Sequence, residues 1–331
     1  MIYKTKSRMI SGIKPSGTLT LGNYLGAIKQ FVKYQDTYDL FIFIADLHAI
    51  TIYQNPTSLK KNIIELLATY LAAGLDTKKC TIFQQSKIVA HNKLEWILTC
   101  NTKVSELTKM PQYKNYLENH NKAIPDSILQ YPNLMSADIL LYDAEYVPVG
   151  LDQVSHVYLT KLQAETFNKH FGDTFVLPKP LLTDCGAKIM SLTDPTKKMS
   201  KSESDAGTIF LTDTEEIIRL KIKKALTDSE NKVYYDPNKK PGISNLMVIY
   251  SCLTNKTLED IEEIFKDALD YRPFKKAVAD AIINELTMLQ KKILEIKQVY
   301  NLQAILSLGN SKARRVANKK ILKVYKEIGL I

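Results

Sequence analysis

Asp39-Leu-Phe-Ile-Phe-Ile-Ala-Asp46 is an uninterrupted apolar run bounded by carboxylates, the pattern of a β-strand covered on both faces. Upstream, Arg8 to Gly12 is a short strand candidate that breaks into a Gly/Pro/Ser turn, and Leu21 onwards reads as a helix carrying Leu25, Ile28 and Val32. Downstream, Pro56 precedes a helix with Leu59, Ile63, Leu66, Leu67 and Tyr70 on one stripe, closed by Gly74. Cys80 to Phe83 makes a third strand and His91 to Cys100 a third helix. Alternation at this spacing predicts right-handed βαβ units and a doubly wound parallel sheet. Ligands of such sheets bind at the carboxyl ends of the strands.

The rest of the chain reads differently. From about Glu106 to Tyr131 it turns polar and helical, then Leu134 to Tyr142 returns to an apolar helix; Val154, Tyr158 and Leu162 mark another. Leu177 to Gly207 is rich in Pro, Gly and Lys and reads as loop. Beyond it the patterns are helical: 214–226, 244–253, 257–269, 274–300 and 311–328. The expected architecture is α/β: a doubly wound parallel-sheet (Rossmann-like) catalytic domain over 1–206 with a helical insert at about 106–133. A C-terminal all-helical domain follows over 207–331.

The 331 residues are 45% hydrophobic and 24% charged, which suits a folded globular chain and excludes wholesale disorder. Cys80, Cys100, Cys185 and Cys252 stand alone, and the five histidines share no ligand spacing, so no metal site is expected. The basic start has no apolar leader core, and the longest clean apolar run is far too short for a bilayer. We therefore expect a soluble, cytoplasmic protein with no membrane contact. The net charge is +10, and residues 271–331 hold thirteen Lys/Arg against four Asp/Glu. On the last helix Ala313, Ala317, Ile321, Val324 and Ile328 form the apolar stripe, with Arg314, Arg315, Lys319, Lys323 and Lys326 off it. That arrangement serves equally as a solvated face or as a surface that tracks nucleic-acid phosphates.

Four constellations carry chemistry. Gly12-Ile-Lys-Pro-Ser-Gly-Thr-Leu-Thr-Leu-Gly-Asn-Tyr-Leu-Gly26 follows a strand and opens a helix, where backbone N–H groups and the helix dipole attract phosphate. It is neither a Walker A loop nor GxGxxG, and taken alone it is a tight turn. Lys198-Met-Ser-Lys-Ser202 places two lysines among hydroxyls, suited to neutralising a departing pyrophosphate. A preset five-letter match arises by chance on the order of once in ten thousand chains of this length. Asp138 lies among apolar neighbours in Leu134–Tyr142, either an acceptor waiting for a buried ligand N–H or a carboxylate at a helix turn. Val147-Pro-Val-Gly-Leu-Asp-Gln153 is a strand, a glycine turn and a helix start with polar groups, which by itself is a capped helix.

In this order the first two constellations resemble the signature pair of the class I aminoacyl-tRNA synthetases, with Thr20-Leu-Gly-Asn23 similar to the HIGH-type element and Lys198–Ser202 a full match to KMSKS. Ala45–Thr51, Tyr131–Tyr142, Val147–Gln153, Ala225–Ser229 and Pro241–Asn245 extend the resemblance over nearly the whole chain, toward the tryptophanyl-tRNA synthetase family of bacterial type. The resemblance implies activation of L-tryptophan with ATP and Mg²⁺ to an adenylate plus pyrophosphate, then transfer to the 3′ end of tRNA(Trp). It implies catalysis by Thr20, Asn23, Lys198, Ser200 and Lys201. An ATP site would comprise Lys14, Pro15, Ser16, Gly22, Asn23, Gly150, Leu151, Asp152, Ile189 and Lys198, Met199, Ser200, Lys201, Ser202. Asp138 would accept the indole N–H, with Met135 against the ring and Tyr131 and Gln153 at the ammonium and carboxylate end. Arg314, Arg315 and Lys319 would meet tRNA, and the enzyme would be a homodimer built through the polar insert. The chain departs from the pattern at Lys14, where the family usually has Gln, and at Leu151, often acidic there. Alternatives are a tyrosine-specific relative, a nucleotidyltransferase without tRNA, and a non-catalytic tRNA-binding relative.

Overall fold

The computed structural model describes residues 6–119, 124–182, 188–200 and 205–331. Five strands form one sheet: β1 (Arg8–Ile13), β2 (Asp39–Ile44), β3 (Cys80–Gln84), β4 (Tyr146–Val149) and β5 (Lys179–Leu182). Their order is β3-β2-β1-β4-β5 and every pairing is parallel. β1 and β2 run in register from Arg8 opposite Asp39 to Ile13 opposite Ile44. The apolar run of β2 divides by the pleat: Leu40, Ile42 and Ile44 enter one core, Phe41 and Phe43 the other. Both faces are therefore covered, as the unbroken run requires.

The first core holds the helix Pro56–Ala72 and, further along the chain, the helices Pro241–Thr254 and Arg272–Val299. The second holds the helices Ala90–Asn101, Asp126–Leu140 and Val154–Phe171 and the last helix, Leu302–Glu327. The last helix lies against β3, where the edge strand would otherwise present unpaired backbone. Asn310 Oδ1 accepts the Gln84 N–H at 2.8 Å. A Cβ on Gly309 would stand 1.7 Å from the Ile82 carbonyl oxygen, so this contact admits only glycine. The expected stripe Ala313, Ala317, Ile321 and Val324 is buried here.

Four expectations differ. The stretch read as loop contains β5, a four-residue edge strand whose Pro180 lacks a donor and which shows no apolar alternation. The helix expected from Leu134 begins at Asp126 and passes through Pro132, because burial of Ile128, Pro132, Asn133, Ser136 and Ala137 outweighs one lost hydrogen bond. In Val154–Phe171 the side chains facing inward are His156, Val157, Thr160 and Ala164, while Tyr158 is 57% exposed and Leu162 also faces out. The last helix starts nine residues earlier than expected, capped by Asn301, whose side chain accepts the Ala304 N–H. Among the described residues no helix is long and apolar enough to cross a membrane.

Candidate active site

β1 has β2 on one side and β4 on the other, so the chain's connections diverge there and leave a crevice at the carboxyl ends of the strands. A cleft of about 510 Å³ opens at that point. Of the residues expected to bind or react, Lys14, Gly22, Asn23, Tyr131, Met135, Asp138, Gly150, Asp152, Gln153, Ile189, Lys198 and Met199 line it. Lys201 and Ser202 lie outside the described residues. Pro15, Ser16, Thr20, Leu151 and Ser200 are not among the lining residues. Leu151 is 77% exposed.

The glycine-rich element is built around a helix start. Thr20 is 1% exposed, and its hydroxyl accepts the Asn23 N–H at 3.2 Å while Asn23 Oδ1 accepts the Thr20 N–H at 3.1 Å. Thr20 therefore closes a capping box and Asn23 faces the cleft. The following residues, Tyr24–Ile28, form a widened π turn, a feature frequent at functional sites. Gly22 sits against the second lysine-bearing element: a Cβ there would lie 3.6 Å from the Ile189 Cβ and 3.8 Å from the Met199 Cβ. Two motifs far apart in the chain thus lie side by side, with room for about a methyl group between them at Gly22.

That second element is a hairpin. Met190 and Lys198 form an antiparallel bridge, and the Met199 N–H donates to the Ile189 carbonyl at 2.9 Å. Ile189 and Met199 are buried, which leaves the Lys198 ammonium at the surface of the cleft, 3.7 Å from Asp152 Oδ1. Thr208 Oγ1 donates to the Ser200 carbonyl at 2.9 Å. The hairpin's base is held by Asn245, whose Oδ1 accepts the Met190 N–H at 2.8 Å and whose Nδ2 donates to the Met190 carbonyl at 3.0 Å.

Tyr131, Met135 and Asp138 share one face of Asp126–Leu140 through their helical spacing. Asp138 is fully buried and already partnered. Gln85 Nε2 donates to both its oxygens at 2.8 and 2.9 Å, His48 Nε2 lies 2.7 Å from Oδ2, and His91 Nδ1 lies 2.6 Å from Oδ1. The expectation of a lone acceptor is corrected to a charged centre with three protein donors. Burial alone would raise its pKa, yet the adjacent His48 and His91 imidazoles prevail and hold the carboxyl below its usual range. His91 Nε2 continues the chain to the Tyr142 hydroxyl at 2.9 Å.

His48, Gln85, His91 and His156 are functional candidates that the sequence reading missed. The histidines were weighed only as metal ligands, and Gln85 gives no local signal. Among the described residues no cluster of three or more His, Cys, Asp or Glu is placed to hold a metal ion. Instead His48 and His156 flank the Tyr131 ring at 4.3 and 6.1 Å between centroids. His48 Nδ1 and both ring nitrogens of His156 are buried with no hydrogen-bond partner among the described residues. Burial pulls the His156 pKa down to about 4, against a smaller upward pull from Asp152, so its ring is neutral at physiological pH. The Tyr131 hydroxyl is pushed above its ordinary range by burial and by the Asp138 and Asp152 charges. The Lys14 ammonium lies 5.6 Å from the Tyr131 ring centroid, and burial lowers its pKa. Burial pushes the Asp152 pKa upward, but the Gln153 hydrogen bond and the Lys198 charge outweigh it and lower the pKa.

A doubly wound sheet with these two elements converging over a crevice defines the class I aminoacyl-tRNA synthetases. Residues 3–287 match the family of tRNA synthetases class I (W and Y), and the chain belongs to it. It is 47% identical over 331 residues to the tryptophan–tRNA ligase of Mycoplasmopsis pulmonis, covering 98% of each chain. It is 46% identical over 325 residues to the tryptophan–tRNA ligase of Caldanaerobacter subterraneus subsp. tengcongensis, also with 98% of each covered. Within the family the chain is thus one of the tryptophan–tRNA ligases. Tryptophanyl-tRNA synthetase from Mycoplasma pneumoniae superposes with a TM-score of 0.92 at 34% identity over 98% of both chains. The Campylobacter jejuni synthetase, solved with ADP and tryptophan, gives 0.80 at 30% identity over 97% of this chain and 99% of its own.

Proposed function

We propose that the tryptophan–tRNA ligase reaction runs in this cleft, with indole at the Met135–Asp138 end, the zwitterionic end at Tyr131 and Gln153, and ATP between the two motifs. The observation that carries the reading is that Gly22, Ile189, Lys198 and Met199 line the same cleft as Tyr131, Met135 and Asp138. Gln85, His48 and His91 already make four contacts to the two Asp138 oxygens, so an indole N–H would take the place of, or share, one of them. Phenylalanine brings no such donor, and a site built on a hydrogen bond rejects such an analogue strongly.

The tryptophan carboxylate attacks the α-phosphorus in line and pyrophosphate leaves with the bonding electrons. The nucleophile is already an anion, so positioning and charge stabilisation dominate. Gly22, Asn23, Gly150 and Asp152 lie where adenosine and its phosphates would rest, while Lys198 and, in sequence, Lys201 would offset charge on the leaving group. Mg²⁺ would arrive as MgATP, held by triphosphate oxygens and water. The acyl group then passes to the 3′-terminal ribose of tRNA(Trp).

Arg314, Arg315 and Lys319, all exposed on the last helix, would meet the tRNA backbone within the helical region 207–331, with 1–206 as the catalytic region. The exposed Trp96, Val104, Leu117 and Tyr158 on the helices around 90–171 support a homodimer through that surface. We assign the reaction to the cytoplasm, where translation consumes its product. ATP–pyrophosphate exchange with Mg²⁺ and each of the twenty amino acids tests the reading. Exchange with tryptophan alone is expected; exchange with tyrosine would overturn the pocket, and silence with all twenty would overturn the reaction.

A further inference from the structure

We propose that the Lys14 ammonium receives the carboxylate of the amino-acid substrate and is thereby a catalytic residue of this chain. The proposal rests on the adenylation reading above and extends it to one further side chain. Lys14 follows β1 directly, at the carboxyl end of the strand where the crevice opens. Its ammonium stands over the Tyr131 ring, and Tyr131 is one helical turn before Met135 and two before Asp138. An indole lodged against Met135 and Asp138, with its zwitterionic end at Tyr131 as proposed above, would bring its carboxylate toward Lys14.

The cleft leaves this cation for a ligand. Asp138 is taken by Gln85, His48 and His91, and Asp152 by Gln153 and Lys198. Among the described residues Lys14 has no ion-pair partner; its ammonium stands over the Tyr131 ring. Of the two imidazoles beside Tyr131, His156 is neutral near pH 7 and His48 is engaged by Asp138. Among the described residues Lys14 is thus the cation at this end of the cleft that no carboxylate holds. A part-buried ammonium without a counter-charge is costly, and an arriving anion restores what water no longer supplies.

In the reaction this charge acts on two anions that must touch. One carboxylate oxygen bonds to the α-phosphorus as the bond from that phosphorus to the pyrophosphate oxygen breaks, and the pair leaves with pyrophosphate. No proton is transferred. Lys14, held on the carboxylate, offsets the repulsion between it and the phosphate.

Calorimetric binding of tryptophan and of tryptophanamide, which keeps the indole and ammonium but lacks the carboxylate charge, tests the assignment. In Lys14→Gln, tryptophan should bind about tenfold or more weakly, the size of a lost charge-assisted hydrogen bond. Tryptophanamide should stay within about twofold, and Lys14→Arg should recover most of the tryptophan affinity. Equal losses for both ligands would assign Lys14 to packing and overturn the proposal; so would unchanged tryptophan binding. A loss seen only for ATP over adenosine, measured without amino acid, would put Lys14 on phosphate and overturn it too. Wild-type protein that binds no tryptophan removes the parent reading along with the proposal, whereas lost selectivity between the two ligands removes the proposal alone.

Discussion

A carboxylate with no exposed surface is stable only when donors replace its lost water, and Asp138 shows what that demands. Its three partners come from three separate stretches: His48 beyond β2, Gln85 beyond β3, and His91 on the next helix. Asp138→Asn exchanges one acceptor oxygen for a donor facing these donors. We expect tryptophan-dependent exchange to fall by about a hundredfold and discrimination against phenylalanine to shrink; unchanged tryptophan kinetics would remove Asp138 from the pocket. His156 has the opposite need, since its ring is held without partners and without charge. The unfolded chain protonates it near 6.5 while the folded chain resists until about 4. Between those values the unfolded state holds the extra proton, so acid erodes stability, by about 3 kcal/mol across the window. Urea unfolding at pH 7 and 4.5 should show most of that loss, about 2 kcal/mol, and His156→Gln should diminish it.

At the scale of elements, legibility followed periodicity. The strands β1, β2 and β3 and the helix closed by Gly74 were readable because long apolar patterns and end signals agree there. β5 was not, since four edge residues with a proline carry no period. Nor was the start of Asp126–Leu140, where Pro132 looks like a boundary until tertiary burial overrides it. The lysine-bearing hairpin was recognised by its letters, yet its shape depends on Asn245 on the helix Pro241–Thr254, a residue that lies in a stretch carrying the resemblance and to which no role was assigned. Asn245→Ala removes two hydrogen bonds from the base of the hairpin. The turnover of ATP–pyrophosphate exchange should drop about tenfold while tryptophan binding stays within about twofold; a matching loss in binding would mean general disruption instead.

For the molecule as a whole, the last helix joins chain ends that the sequence treats as separate regions. It closes on β3 through Gly309 and Asn310, and Arg314 donates to the Lys87 carbonyl at 3.1 Å. Gly309→Ala should cost about 2–4 kcal/mol, seen as an earlier urea midpoint, because helix and strand cannot both keep their places. For the outward cations the proposed role is contact with tRNA. Arg315→Glu with Lys319→Glu should raise the Michaelis constant for tRNA roughly tenfold and lessen its salt dependence, with exchange measured without tRNA unaltered. No change in either would return this face to ordinary solvated surface. The sequence by itself determined the parallel α/β class, the two motifs and the family, because pleat alternation, helical spacing and a rare five-letter match are local properties. Only the tertiary structure decided which of those residues share a cleft, that Asp138 is partnered by His48, Gln85 and His91, and that Lys14 has no counter-charge among the described residues. Those outcomes depend on donors and acceptors brought together from distant positions, and no periodicity along a chain encodes such a meeting.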